Sequence, residues 1–291
     1  MLMFRHLLAA TTGLAFLATA SNAHATAYAY GNINFSTLSL SGLQAPGVTV
    51  NSANVTTRDS AGYPGGAPVS NAANANNPDN PLTAGSDVPQ ATSGPGPFPA
   101  QNTYTQALLS SFGARGDAQL TGNLITGVGT GANDVAEGRI TIPGTASSTA
   151  GTTTGFNVVV STTSAQTFTL AFNADDSVIA TTTNPGEIAS AQVNASFTVS
   201  GAGFTTRVFS PDTLNTSITS TGGNASTPIT NPSMGYNFSV TLNPGMYQFS
   251  LLSGAQEQVT AAAVAAVPEP ASMALLGAGL AAIGLIRRRQ A

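Results

Sequence analysis

The stretch TFTLAF, residues 167–172, decides how the central part of this chain is read. Phe168, Leu170 and Phe172 alternate with Thr167, Thr169 and Ala171, and a period of two puts the three large side chains on one face of a β-strand. The same reading extends outward. INFSTLSL (33–40) places Ile33, Phe35, Leu38 and Leu40 near strand spacing, and Ala195, Phe197 and Val199 alternate in the same way. Near the end, Tyr236, Phe238, Val240 and Leu242 are followed, across Asn243-Pro244-Gly245, by Tyr247, Phe249 and Leu251. A Pro-Gly centre suits a tight turn, because Pro presets its φ and Gly accepts a positive one; this pair is expected to form a hairpin. The only helix candidates in the body are Tyr104–Phe112 and Ala255–Ala266. Many short β-rich runs separated by Gly, Pro and Asn predict an all-β antiparallel sandwich. A β-solenoid would need a repeat of fixed length, and the Thr-rich segments share none.

Composition narrows the chemistry. Of 291 residues only 7% are charged, and Cys and Trp are absent, so no disulfide holds the fold and stability must come from apolar burial. Both histidines, His6 and His24, fall in the first 25 residues. The remainder therefore lacks His, Cys and Lys, which removes Ser-His-Asp and Cys-His catalysis, Schiff-base chemistry and zinc sites built on His or Cys. Between the two ends stand Arg58, Arg115, Arg139 and Arg207 against eleven carboxylates, a net charge of −7. With no cluster of cations, the body is not a nucleic-acid binder.

Oxygen ligands and carboxylate acids are the chemistry that survives. Asp175 and Asp176 are adjacent in FNADDSVIA, and Asp134 precedes Glu137 in NDVAEGRI. Calcium takes six to eight such ligands from loops, so Asp134, Glu137, Asp175 and Asp176 are the candidate calcium ligands, and no cofactor is expected unless these oxygens hold calcium. A glycosidase would need two carboxyls across one sugar bond; adjacent strand residues point to opposite faces and do not supply that pair. Arg115-Gly116-Asp117 spells an adhesion tripeptide and is expected on a surface turn. Thr167 and Thr169 have the spacing of an ice-binding ladder without its repetition, which ordinary β propensity explains.

Both ends read as addresses. Residues 1–25 combine Arg5, an apolar stretch from Leu7 to Ala20, and Ala23-His24-Ala25, the small-x-small pattern that signal peptidase cleaves. At the other end, Pro268-Glu269-Pro270 precedes an uncharged run, Ala271 to Ile286, and then Arg287, Arg288 and Arg289. As a helix that run spans about 24 Å against a hydrocarbon core of about 30 Å, a marginal single transmembrane helix. The arginines would stay cytoplasmic as a stop-transfer signal. The expected plan is thus a signal peptide (1–25), N-terminal strands (26–59), a mobile Pro/Gly/Asn-rich loop (60–101), the sandwich (102–254), a linker (255–266) and the tail (267–291). A second flexible stretch is expected at 144–155.

The tail resembles the PEP-CTERM sorting signal, also known as an ice-binding protein C-terminal domain, through Val267 to Pro270, Ala271 to Ile286 and Arg287 to Arg289. That resemblance implies recognition of Pro268, Glu269 and Pro270 by an exosortase, a membrane-embedded cysteine protease-like transpeptidase. It also implies transient anchoring in the inner membrane of a Gram-negative, exopolysaccharide-producing bacterium, then delivery to the cell surface or extracellular matrix. GDAQL, NDVAEGRI, FNADDSVIA and SAQVNASFTVSG resemble, in this order, segments of a group of PEP-CTERM proteins, and this brings no activity with it. The resulting expectation is a non-enzymatic exported protein. The alternatives are a polysaccharide-binding sandwich that uses Tyr63 or Tyr104, with or without calcium, and, more remotely, a carboxylate glycoside hydrolase or an ice-binding protein.

Overall fold

The computed structural model describes residues 26–76, 85–108, 112–141, 146–261 and 278. Ala25–Ala262 forms one unit of the chain. The expected signal peptide (1–25), the expected linker beyond Ala261 and, apart from residue 278, the expected transmembrane helix and sorting tail lie outside the described residues. Among those described, no helix is long and apolar enough to cross a membrane.

The body is two stacked antiparallel sheets. The front sheet comprises β1 (Ala27–Ser41), β4 (Ser86–Asp87), β5 (Ala91–Gly96), β6 (Phe112–Asn123), β7 (Val128–Ile140), β9 (Gln166–Thr182) and β13 (Ile229–Leu242). Its order is β13-β9-β1-β7-β6, with β4 and β5 both paired to β6. The back sheet comprises β2 (Val48–Gly62), β3 (Val69–Asn76), β8 (Ala146–Thr162), β10 (Ile188–Gly201), β11 (Phe204–Phe209), β12 (Ser217–Thr221) and β14 (Gly245–Ala261). Its order is β11-β10-β14-β8-β2-β3, with β12 also paired to β10. Among the described residues of the body, helical structure is one 3-10 turn, Asp212–Leu214.

The alternation read at 167–172 continues for the whole of β9: Phe168, Leu170, Phe172, Ala174, Asp176, Val178 and Ala180 are buried while their neighbours are partly or fully exposed. The interior has two unlike ends. At one end Phe168 meets Phe249 at 4.8 Å and Phe35 meets Phe172 at 5.2 Å between ring centroids. At the other end glycines let the sheets approach. A Cβ on Gly116 would lie 2.8 Å from the Ser60 carbonyl oxygen, and one on Gly31 would lie 3.1 Å from that of Gln192. Rings keep the sheets apart, and bare backbone lets them close.

Several expectations are corrected. The Asn243-Pro244-Gly245 turn does not make a hairpin. Tyr236, Phe238 and Val240 pair with Phe172, Leu170 and Phe168 in the front sheet, whereas Tyr247, Phe249 and Leu251 pair with Val160, Val158 and Phe156 in the back sheet. The turn is an arch between layers. Two apolar rows bury more surface when stacked face to face than when set edge to edge, and Gly245 has no positive φ. The carbonyl of Asn243 accepts hydrogen bonds from Thr162 Oγ1 and Tyr247 OH, each at 3.0 Å.

The segment 60–101 is not simply a mobile loop. β2 continues to Gly62, β3 pairs with β2, and β4 and β5 pair with β6. Main-chain ladders need no bulky side chains, and the buried carboxylate of Asp59 accepts from the Ala91 N–H at 3.1 Å. Residues 146–155, expected to be flexible, belong to β8, and 255–261, expected in a linker or helix, belong to β14. Tyr104 to Leu108 form no helix. β1, which lies between β7 and β9 in the front sheet, makes residues 26–59 part of the sandwich rather than an appendage to 102–254.

Candidate functional site

The four acids proposed as calcium ligands are not gathered. In the ladder, Ile33 of β1 faces Asp134 on one side and Asp176 on the other, so these two share its core-facing side. Tyr30 faces Glu137, and Asn34 faces Asp175, which puts those two on the opposite side. Asp175 and Asp176 do diverge, as neighbours on a strand must. Among the described residues no group of three or more His, Cys, Asp or Glu is placed to hold a metal ion. Asp134, Glu137, Asp175 and Asp176 therefore do not form a single ligand set on one side of the sheet.

Protein donors occupy these carboxylates instead. Asp134 accepts from Thr154 Oγ1 at 2.9 Å and Ser253 Oγ at 2.6 Å, both from the back sheet. Complete burial pushes its pKa up to about 6, against the lowering effect of those hydroxyls. Asp176 accepts from Thr216 Oγ1 at 2.8 Å and Asn231 Nδ2 at 3.0 Å, and burial raises its pKa. Asp175 accepts from Asn34 Nδ2 at 2.9 Å. Glu257 also points inward; burial raises its pKa well above the usual carboxylate range, and its Oε2 has no hydrogen-bond partner.

Glu137 belongs to a buried cluster on the outer side of the front sheet. Arg115 Nε donates to its Oε2 at 2.7 Å, and Tyr28 OH donates to its Oε1 at 2.7 Å. The same carboxylate accepts the N–H groups of Ala107 and Leu108. Arg115 Nη1 and Nη2 donate to the carbonyls of Thr103 and Thr105, both at 2.6 Å. Tyr30 OH donates to the Tyr104 carbonyl at 2.8 Å, and Arg139 Nη1 donates to that of Leu108 at 3.2 Å. Asp117 Oδ2 accepts the Asn102 N–H at 2.5 Å. Tyr28, Tyr30, Val135 and Leu108 form a second small core beneath this strap. Burial first, and then the Glu137 charge, raise the pKa of Tyr28.

Sequence reasoning missed this strap. The signal available was a run of aromatic residues, Tyr28 and Tyr30, on the face of β1 opposite Ala27 and Ala29. The Arg-Gly-Asp tripeptide is corrected as well. It lies within β6, not on a turn, and Arg115 and Asp117 are fully buried. Gly116 is needed there because a side chain would strike the back sheet. Tyr63 is buried and Tyr104 is partly buried with its hydroxyl on Asn102 Oδ1, so neither offers an exposed ring for stacking a sugar. Thr167 and Thr169 hydroxyls pair with those of Thr241 and Ser239 at 2.9 and 2.8 Å.

The outer face of the back sheet is open and uncharged over much of its area. A hollow of about 620 Å³ there is lined by residues of β2, β8, β10, β12 and β14.

A comparison with curated proteins finds no match to this chain. The family model of the PEP-CTERM protein-sorting motif matches residues 266–290, one residue earlier at each end than the tail read from sequence. That span contains Pro268, Glu269, Pro270 and Arg287 to Arg289. The chain therefore carries, shortly after its last described strand, the PEP-CTERM protein-sorting motif of exosortase-processed surface proteins.

Proposed function

We propose that this is a non-enzymatic component of the bacterial surface or extracellular matrix, delivered by export and exosortase processing. The observation that carries the reading is the motif match at 266–290, beginning shortly after β14 ends at Ala261. β14 is paired on one side with β8 and on the other with β10. A transpeptidase acting on the tail would thus work on chain just outside a strand locked into the body. Signal peptidase would remove residues 1–25 after Ala23-His24-Ala25. The Ala271–Ile286 segment would hold the precursor in the inner membrane, with Arg287, Arg288 and Arg289 stopping transfer, while Pro268-Glu269-Pro270 is recognised outside it.

A structural or binding role, rather than a catalytic one, is supported by the residues that remain after export. The mature body has no His, Cys or Lys, and Asp134, Glu137 and Asp176 are each engaged by protein donors. The setting that suits this reading is a Gram-negative bacterium that secretes exopolysaccharide.

The test is replacement of Pro268, Glu269 and Pro270 by Ala together, with the intact mass measured in membrane, surface and medium fractions. The expected result is unprocessed precursor retained in the membrane. Normal maturation and unchanged distribution would overturn the sorting claim.

A further inference from the structure

We infer that the outer face of the back sheet is a binding site for a neutral polysaccharide. Two cross-strand rows carry the argument. In the first, Ser60, Gly151, Gln256, Gln192 and Ser217 stand opposite one another on β2, β8, β14, β10 and β12. In the second, Gly62, Thr149, Gln258, Ser190 and Thr219 follow the same strands. Each row crosses four strand spacings, about 19 Å at about 4.8 Å each. Along it the outward groups are hydroxyls and primary amides, with bare backbone at the glycines.

This face is hollow for a reason visible in the sequence. Gly151 stands between Ser60 and Gln256 in the first row, and a Cβ there would meet nothing nearer than Ser60 Oγ at 3.5 Å and Gln256 Cγ at 3.8 Å. A side chain would therefore fit, yet none is present, and the floor stays low. The hollow of about 620 Å³ shares Ser60, Gly151 and Gln256 with a neighbouring one of about 430 Å³, which in turn shares Arg58 and Thr153 with a third of about 630 Å³. Together they make a continuous trough across the sheet.

The chemistry selects the ligand. Amides and hydroxyls both donate and accept, which matches the alternating donors and acceptors of sugar hydroxyls. Gln192 Nε2 already donates to Gln256 Oε1 at 2.6 Å, so the two amides are held in place before a ligand arrives. Neither row has an outward-facing charge, since Glu257, between the rows, is buried with its carboxyl toward the core. A polyanion finds no cation in either row, and a body of net charge −7 would repel it. A protein partner would call for aromatic or Met anchors, and the rows contain none.

The test is affinity electrophoresis of the full-length protein in detergent through gels containing dextran, laminarin or mannan, with the uronate polymer alginate as the charged comparison. At least one neutral glycan should retard the protein. Gln192→Ala with Gln256→Ala should weaken that retardation at least tenfold, as should Gly151→Leu, which fills the trough floor. Unchanged thermal midpoints in the variants separate loss of binding from loss of fold, and each variant should still mature normally, which keeps this result independent of sorting. Retardation by no neutral glycan, retardation indifferent to both variants, or retardation by alginate alone that Arg58→Ala abolishes would each overturn the proposal.

Discussion

Arg115 and Glu137 form a fully buried ion pair, Nε to Oε2 at 2.7 Å, on the outer side of a sheet whose inner side already faces the main core. Two of the four arginines in the body, Arg115 and Arg139, hold the 101–108 strap. Arg115 Nη1 and Nη2 and Arg139 Nη1 donate to main-chain carbonyls, so the backbone of the segment is held along with its buried Leu108 side chain. This is how a stretch so poor in large apolar residues stays in place.

Breaking that pair from one side should be costly. Glu137→Gln leaves a buried guanidinium without its counter-charge, an effect of about 3–5 kcal/mol. Urea denaturation should register the loss, and amide exchange at Asn102 to Leu108 should rise before that of β9. The combined Arg115→Met and Glu137→Leu variant leaves no unpaired charge but strands the carbonyls of Thr103 and Thr105 and the N–H groups of Ala107 and Leu108, so its strap amides should exchange at least as fast as those of Glu137→Gln. Unaltered exchange across the strap in Glu137→Gln would refute this account.

The sandwich was legible in the sequence where large and small residues alternate, as at Phe168, Leu170 and Phe172, because burial on one face writes itself into a period of two. It was not legible in β3 to β5, nor in the first half of β8. There, Ala, Ser, Gly and Thr give no hydrophobic contrast, and main-chain pairing to β2, β6 and β14 provides the order. Sheet assignment was also hidden. A Pro-Gly turn between two apolar runs serves a hairpin or an arch equally well, and only the need to stack both rows decides. The acids were visible as types but not as neighbours, since Asp134 finds its donors at Thr154 and Ser253 on the opposite sheet.

Acid should stabilise this protein over part of the pH range. Burial lifts Asp134 and Asp59 from 3.8 to about 6, so between those values the native state binds more protons than the unfolded chain. Stability then falls as pH rises through that window. Glu257, raised well above the usual range, extends the decline to higher pH. The thermal midpoint should be higher at pH 4.5 than at pH 7.5. Asp134→Asn keeps an acceptor for Thr154 or Ser253 without the buried charge, and should gain on the order of 1–3 kcal/mol at pH 7.5 while gaining little at pH 4.5. Equal effects at the two pH values would contradict the assignment.

The aromatic end of the core should dominate stability. Phe249 is fully buried between Phe168 at 4.8 Å and Phe197 at 6.1 Å, and Phe249→Ala should cost about 3–5 kcal/mol. Val259→Ala, further along the same strand toward the glycine end, removes less volume and should cost well under half of that. Denaturant midpoints with unchanged slopes would check the comparison; a larger loss at Val259 would mean the two ends are packed alike.

At the close-packed end, the space above two glycines should be distinguishable by rescue. A Cβ on Gly138 falls on the carboxyl of Glu257, whereas one on Gly116 meets the main-chain oxygens of Ser60 and Gly151 at 2.8 and 3.1 Å. Overpacking of this kind costs about 1–3 kcal/mol. Removing the Glu257 side chain opens room above Gly138, so Gly138→Ala combined with Glu257→Ala should be less destabilised than the sum of the two, with a coupling of about 0.5–3 kcal/mol. Backbone cannot be trimmed, so Gly116→Ala should show no such coupling with Glu257→Ala. If both glycine substitutions add independently to Glu257→Ala, then Gly138 and Glu257 are not in contact and the sheets lie further apart at this end than their glycines require.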